Sequence, residues 1–299
     1  MQSGAYKGLG GDVIDIRVSA DRIIIEYTKI SLDFFNPYIN VTLDGLYKVT
    51  RNFRHKAFHY ACHIETYDGH YLYMTYKRHT EDKAKAYTMW VETHPELMKV
   101  FLNVFKRLSR EAREINFVLC DVAFDIPVHI NDIFLESETG REKTRFKNTY
   151  YHGKRKQCRL HGYSRMYNKK LQLHEVKGID VMGELTRIEV VYRPHNDARF
   201  TMNELLTHPP DFNRLYMAFI INDIESIPSK RKPRIEAIMR LEEDLIGEPY
   251  LKKAIKKDLT STQTKVDFNE IAKQQWKDVV SLYVAIATGQ ATKVAKYLL

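Results

Sequence analysis

The chain has 299 residues, 44% hydrophobic and 28% charged, the balance of a water-soluble protein able to bury one large or two ordinary domains. No apolar run reaches the roughly 18–20 residues of a membrane span, and the opening MQSGAYKGLGGD lacks the basic-then-apolar order of a secretory signal, so no membrane partner is expected and the cytoplasm is the expected compartment. The net charge is +9, and residues 141–193 carry fourteen Lys/Arg against five Asp/Glu, an excess equal to that of the whole chain, which points to a polyanionic partner.

The first ninety residues read as strands. Runs at 13–18, 22–27, 58–66 and 70–77 combine β-branched and aromatic residues at strand lengths. Tyr67-Asp68-Gly69 between the last two is a hairpin turn, because Asp-Gly tolerates positive φ. Residues 94–114 read as a helix, with Thr93 as cap, Pro95 in the first turn and an apolar stripe of Leu97, Phe101, Val104, Phe105 and Leu108. His55, His59 and His63 recur every fourth residue, but within a strand this spacing does not gather three imidazoles around a metal. The three cysteines, Cys62, Cys120 and Cys158, lack CxxC spacing, which argues against a disulfide framework or a zinc site.

Residues 116–126 return to a strand stopped by Pro127, and residues 131–148 are expected as loop or short helix. Two further strands are expected at 159–169 and 184–192, and a helix over 203–223. IPSKRKPR at 227–234 is a proline-bracketed basic stretch that marks a boundary. Helices with basic surfaces follow at 234–246, 249–259 and 268–299. The expected fold is α+β: an antiparallel β-sheet platform carrying the active site, flanked by helices, with a helical basic C-terminal region. The expected domains are 1–226, catalytic, and 227–299, recognising DNA.

Alternation assigns side chains to strand faces. Arg159, His161, Tyr163, Arg165, Tyr167 and Lys169 share one side; Asp121 and Asp125 share another; Arg187, Glu189, Val191 and Arg193 share a third. If these strands are neighbours, carboxylates, cations and a phenol converge on one surface that faces solvent. Carboxylates there can hold a divalent cation through oxygen ligands, and cations can stabilise charge on a phosphodiester. A phenol of pKa about 10 requires a cationic setting to act as a phenolate. The same residues also fit a plainer arrangement in which Asp121 and Asp125 pair across strands with Arg187 and Arg193. Tyr150, Tyr151 and Tyr163 compete with Tyr167 for any catalytic role.

The stretches CDVAFD, TYYHGKRKQ, RMYNKK and TRIEVVYR, in this order, resemble the motifs of the Rep_trans family of rolling-circle replication initiators. The resemblance runs from about residue 117 to 193. Gln157 stands where the family usually has serine, and the paired histidines of the broader HUH endonucleases are absent. The resemblance implies a DNA nicking and joining enzyme that binds a plasmid's double-strand origin as a homodimer. It implies tyrosine attack that leaves a 5′-phosphotyrosyl link and a free 3′-OH, and later rejoining. By motif, Tyr167 is the nucleophile, Lys169 and Glu189 assist it, and Asp125 and Glu189 hold Mg or Mn. Lys154, Arg155, Lys156, Arg165, Arg187 and Arg193 contact DNA, and a host helicase and polymerase are partners by analogy. Two other functions fit the same residues: a non-catalytic DNA-binding regulator, and an RNA-binding protein that stacks bases on a basic, tyrosine-rich sheet.

Overall fold

The computed structural model describes residues 5–7, 13–51, 55–153, 163–194 and 200–290. The fold is α+β, built on an antiparallel sheet of eleven strands with a further three-stranded sheet and flanking helices. Among the described residues no helix is long and apolar enough to cross a membrane. The chain divides into two compact units: Met1–Ser19, Val122–Tyr192 and Pro209–Trp276 in the first, and Ala20–Asp121, Arg193–His208 and Lys277–Leu299 in the second.

In the first unit the strands Lys143–Phe146, Thr149–His152, Ser164–Asn168 and Thr186–Tyr192 pair antiparallel in that order. The register sets Thr149 and Arg187 on either side of Tyr167, and Tyr151 and Glu189 on either side of Arg165. Residues directly opposite point to the same side, so this face gathers Tyr151, Arg165, Tyr167, Arg187 and Glu189. The alternation expected over 159–169 ends at Asn168. Its side chain accepts from the Leu171 amide at 2.9 Å and so caps a helix, Lys169–Lys177. Gly178 closes that helix in the left-handed region at φ 64°, with its amide bonded to the His174 carbonyl. Residues 159–162 of the expected strand lie outside the described residues.

Two expectations fail here for one reason. Residues 131–148 contain the strands Ile133–Ser137 and Lys143–Phe146 rather than loop or helix. Residues 203–223 form only a short turn, Glu204–Thr207, and then the strand Tyr216–Ile220. Ile133–Ser137 and Thr264–Val266 pair with Tyr216–Ile220 on either side, and this non-local pairing outweighs local periodicity.

The helices Lys232–Met239 and Pro249–Thr262 close over that small sheet. Ile227, Ile235, Ile238, Leu245, Ile255 and Leu259 are buried against Phe134, Met217 and Phe219. Residue 227 therefore lies inside the first unit, and its basic neighbours lead directly into a core helix. Ending the chain at residue 226 should strip six buried aliphatic side chains from this core. At about 1.5–3 kcal/mol each, their loss matches or exceeds the ~5–15 kcal/mol that holds a domain folded. The expected result is an insoluble chain or one without a cooperative thermal transition; a sharp melt at the full-length temperature would show the cluster to be dispensable.

In the second unit, Ala86–Thr93, Tyr71–Arg78, Phe58–Glu65 and Lys48–Arg51 follow residues 20–31 in order across the sheet. The Asp68-Gly69 turn forms as expected, with Glu65 opposite Tyr71 and Gly69 at φ 77°. The expected helix over 94–114 is split into a turn at Pro95–Lys99, capped by His94 rather than Thr93, and the helix Leu102–Glu111, whose Val104, Phe105 and Leu108 are buried.

Candidate active site on the sheet face

Tyr167 donates its hydroxyl proton to Glu189 Oε1 at 2.5 Å. Arg165 Nε donates to the other oxygen of the same carboxylate. Arg187 donates two hydrogen bonds to Asp125, from Nε to Oδ1 and from Nη2 to Oδ2, each 2.6 Å, in the parallel fork that suits guanidinium to carboxylate. The Lys169 ammonium lies 5.8 Å from the Tyr167 ring centroid and the Arg165 guanidinium 5.9 Å from it, within cation–π range. Four expected catalytic or DNA-contacting residues, Tyr167, Glu189, Arg165 and Lys169, thus meet, and Asp125 joins them through Arg187.

The setting differs from the expected solvent-facing one. Glu189 is 2% exposed, Tyr167 7% and Arg187 8%. The strand Thr186–Tyr192 is buried along its whole length, so both of its faces are covered. The Tyr167 phenol is not made acidic by its cations. Burial raises its pKa well above the usual value, Glu189 raises it further by charge and hydrogen bond, and Arg187 and Arg165 oppose this only in part. Arg187 and Arg165 favour the phenolate, but burial and the Glu189 charge outweigh them. A nucleophilic Tyr167 therefore needs a base, and Glu189 is in place as one.

The other expected residues fall elsewhere. Asp121 pairs with Arg22 at 3.2 Å within the second unit. Arg193 belongs to that unit too and lines a cleft there. Lys154, Arg155 and Lys156 lie outside the described residues. Tyr151 sits directly opposite Arg165, with its ring 6.1 Å from that of Tyr163.

Asp125 and Glu189, expected to hold Mg or Mn, each accept arginine hydrogen bonds as arranged. Among the described residues no three His, Cys, Asp or Glu side chains form a ligand set. A cation at either carboxylate would have to displace a guanidinium.

A buried polar group on the sheet's other face escaped sequence reading. Lys143 and Glu136 form an ion pair at 2.6 Å, with side chains 6% and 1% exposed. His152, directly opposite Lys143, is fully covered, its Nδ1 3.3 Å from Ser164 Oγ. Burial first, then Lys143 and Arg141, push its imidazole down to about 3. The folded state therefore keeps His152 neutral where the unfolded chain takes up a proton, and stability should fall as pH drops from about 6.5 towards 3. Urea unfolding should show the native chain losing about 2–3 kcal/mol more than His152→Gln between pH 7 and 4.5. Parallel pH profiles would place a charged histidine in the fold.

No family model matches this chain, and no curated protein matches it. Among solved structures it is similar to the rolling circle replication initiator protein from Geobacillus stearothermophilus, at 15% identity, over 60% of this chain and 74% of that one, with a TM-score of 0.35.

Proposed function

We propose that this protein cuts and rejoins a DNA strand through the Tyr167 hydroxyl and, by the Rep_trans resemblance, initiates rolling-circle replication at a plasmid's double-strand origin. The observation that carries the reading is the 2.5 Å hydrogen bond from Tyr167 to the buried Glu189, on a face shared with Arg165 and Lys169. A carboxylate that already accepts the phenol's proton is placed to keep it while the oxygen attacks. The Tyr167 Oη–phosphorus bond forms, the phosphorus–O3′ bond breaks, the phenol proton passes to Glu189, and the departing 3′ oxygen takes a proton from water. The products are a 5′-phosphotyrosyl link and a free 3′-OH, and the reverse exchange closes a strand.

Tyr167 is nearly covered, so a phosphate reaches its hydroxyl only when neighbouring side chains move, and Arg165 and Lys169 lie beside its ring. Both are cations able to follow the phosphate and stabilise the charge on its oxygens. When Arg165 leaves Glu189, the carboxylate loses its neutralising partner and becomes the stronger base. Were Mg or Mn to bind, Asp125 and Glu189 would hold it in place of the arginines, and it would supply Lewis-acid polarisation of the phosphodiester. The basic surfaces of the helices after residue 227 contribute origin recognition, and a second copy, a host helicase and a polymerase complete the assembly.

One observation favours a second reading. Each carboxylate is paired with an arginine, and Tyr167 is nearly covered, which suits a structural network in a protein that binds nucleic acid without cutting it. Incubation with supercoiled plasmid carrying the cognate origin, in Mg, Mn or EDTA, followed by denaturation, separates the two. A DNA-linked tyrosine peptide supports the enzyme and reports its metal requirement. Tight binding with no adduct in any metal supports the binder, and a preference for RNA over DNA supports the RNA-binding form.

A further inference from the structure

The second unit holds a cleft of about 730 Å3, within the roughly 300–1,000 Å3 of small-molecule sites. A carboxylate forms its floor. Glu26 is 2% exposed and lies directly opposite Trp90 in the sheet, so both point to the same side. Glu26 Oε2 accepts from Trp90 Nε1 at 2.9 Å and from Arg78, and Oε1 lies 3.4 Å from Asn116 Nδ2. Arg78 comes to this face because Lys77, at φ 58°, breaks the strand alternation just before it. Its guanidinium then lies 5.2 Å from the Trp90 centroid and 5.8 Å from that of Phe58, and those two rings are 5.1 Å apart. The lip carries cations, with Lys56 exposed and Arg193 partly so, and the exposed His79 stands beside them.

The arrangement parallels the Tyr167 site. In each unit a buried glutamate accepts from one arginine and one aromatic donor on other strands of the sheet. The difference is chemical: the indole N–H of Trp90 cannot attack phosphorus, so this cleft can hold a nucleotide but cannot cut beside it. The partly exposed Trp90 indole and Arg78 guanidinium offer flat faces to a stacked base, the buried Phe58, Glu26 and Asn116 hold those two in place from below, and the cations at the lip suit a phosphate.

We propose that this cleft is a second nucleic-acid site, which takes one nucleoside monophosphate unit of a single strand: base stacked inside, phosphate at the lip. The inference rests on the nucleic-acid reading above for the class of ligand and not on Tyr167 as nucleophile. Trp90 is its own reporter, since the only other tryptophan, Trp276, is 1% exposed.

The test uses the full chain, a single-stranded DNA hexamer, a deoxynucleoside monophosphate, and heparin as a polyanion without bases. The hexamer should quench tryptophan fluorescence, the quench should be absent in Trp90→Phe, and Lys56→Glu should weaken it at least about tenfold. Competition by the monophosphate identifies a site open to free nucleotides; quenching by the hexamer alone identifies a base held within a strand. Either result supports the site. No quench, a quench that survives Trp90→Phe, equal affinity in Lys56→Glu, or equal quenching by heparin overturns it. Tyr167→Phe should keep the Trp90 signal. A chain that forms no covalent adduct yet quenches as described retains this inference and loses the nicking reading.

Discussion

Tyr167→Phe should lower formation of the covalent protein–DNA adduct by at least about 10⁴-fold, as removal of a nucleophile does elsewhere, while DNA affinity changes little. The substitution deletes one hydroxyl. The ring remains under Arg165 and Lys169, and the strand keeps its backbone pairing with Thr186–Tyr192. The lost hydrogen bond leaves Glu189 with Arg165, so the stability cost is that of one hydrogen bond to a charged group, about 1.5–3 kcal/mol at most. A melting curve and an adduct gel on the same preparation check both parts. An adduct that persists in the Phe variant moves the nucleophile elsewhere. Tyr151 is then the first candidate, because it shares the face and sits directly opposite Arg165.

Glu189→Gln should affect chemistry and stability together, and the two effects can be separated. An amide cannot keep the phenol's proton, so adduct formation should fall by about 10²–10⁴-fold, the range of a lost general base. Gln also removes the carboxylate charge that pairs with Arg165. Breaking a fully buried pair costs about 3–5 kcal/mol, but the Arg165 side chain is 39% exposed and can turn to water, so a cost nearer 2 kcal/mol is expected. Arg165→Met combined with Glu189→Gln removes both charges and should restore much of the melting temperature without restoring the adduct. If Glu189→Gln melts early yet forms adduct at the native rate, the carboxylate is a structural partner of Arg165 and the nicking mechanism proposed here is wrong.

The sequence by itself determined which residues share a strand side. Alternation in RMYNKK and TRIEVVYR put Arg165 with Tyr167, and Arg187 with Glu189, because side chains on a strand repeat every second residue whatever surrounds it. The Asp68-Gly69 turn and the stripe of Val104, Phe105 and Leu108 were legible for the same local reason. The tertiary structure decided what lies opposite and what lies on top. Register placed Glu189 against Arg165 and Arg187 against Tyr167, and pairing with Asp125 fixed Arg187 in a fork, none of which a single strand encodes. Period 2 says that a face exists but not whether water or protein covers it. A surface read as facing solvent is covered at Tyr167, Arg187 and Glu189, and its phenol is less acidic, not more. The Glu26–Arg78–Trp90 cleft was hidden for the same reason: its residues come from strands up to 90 positions apart, and they meet only when the sheet is assembled.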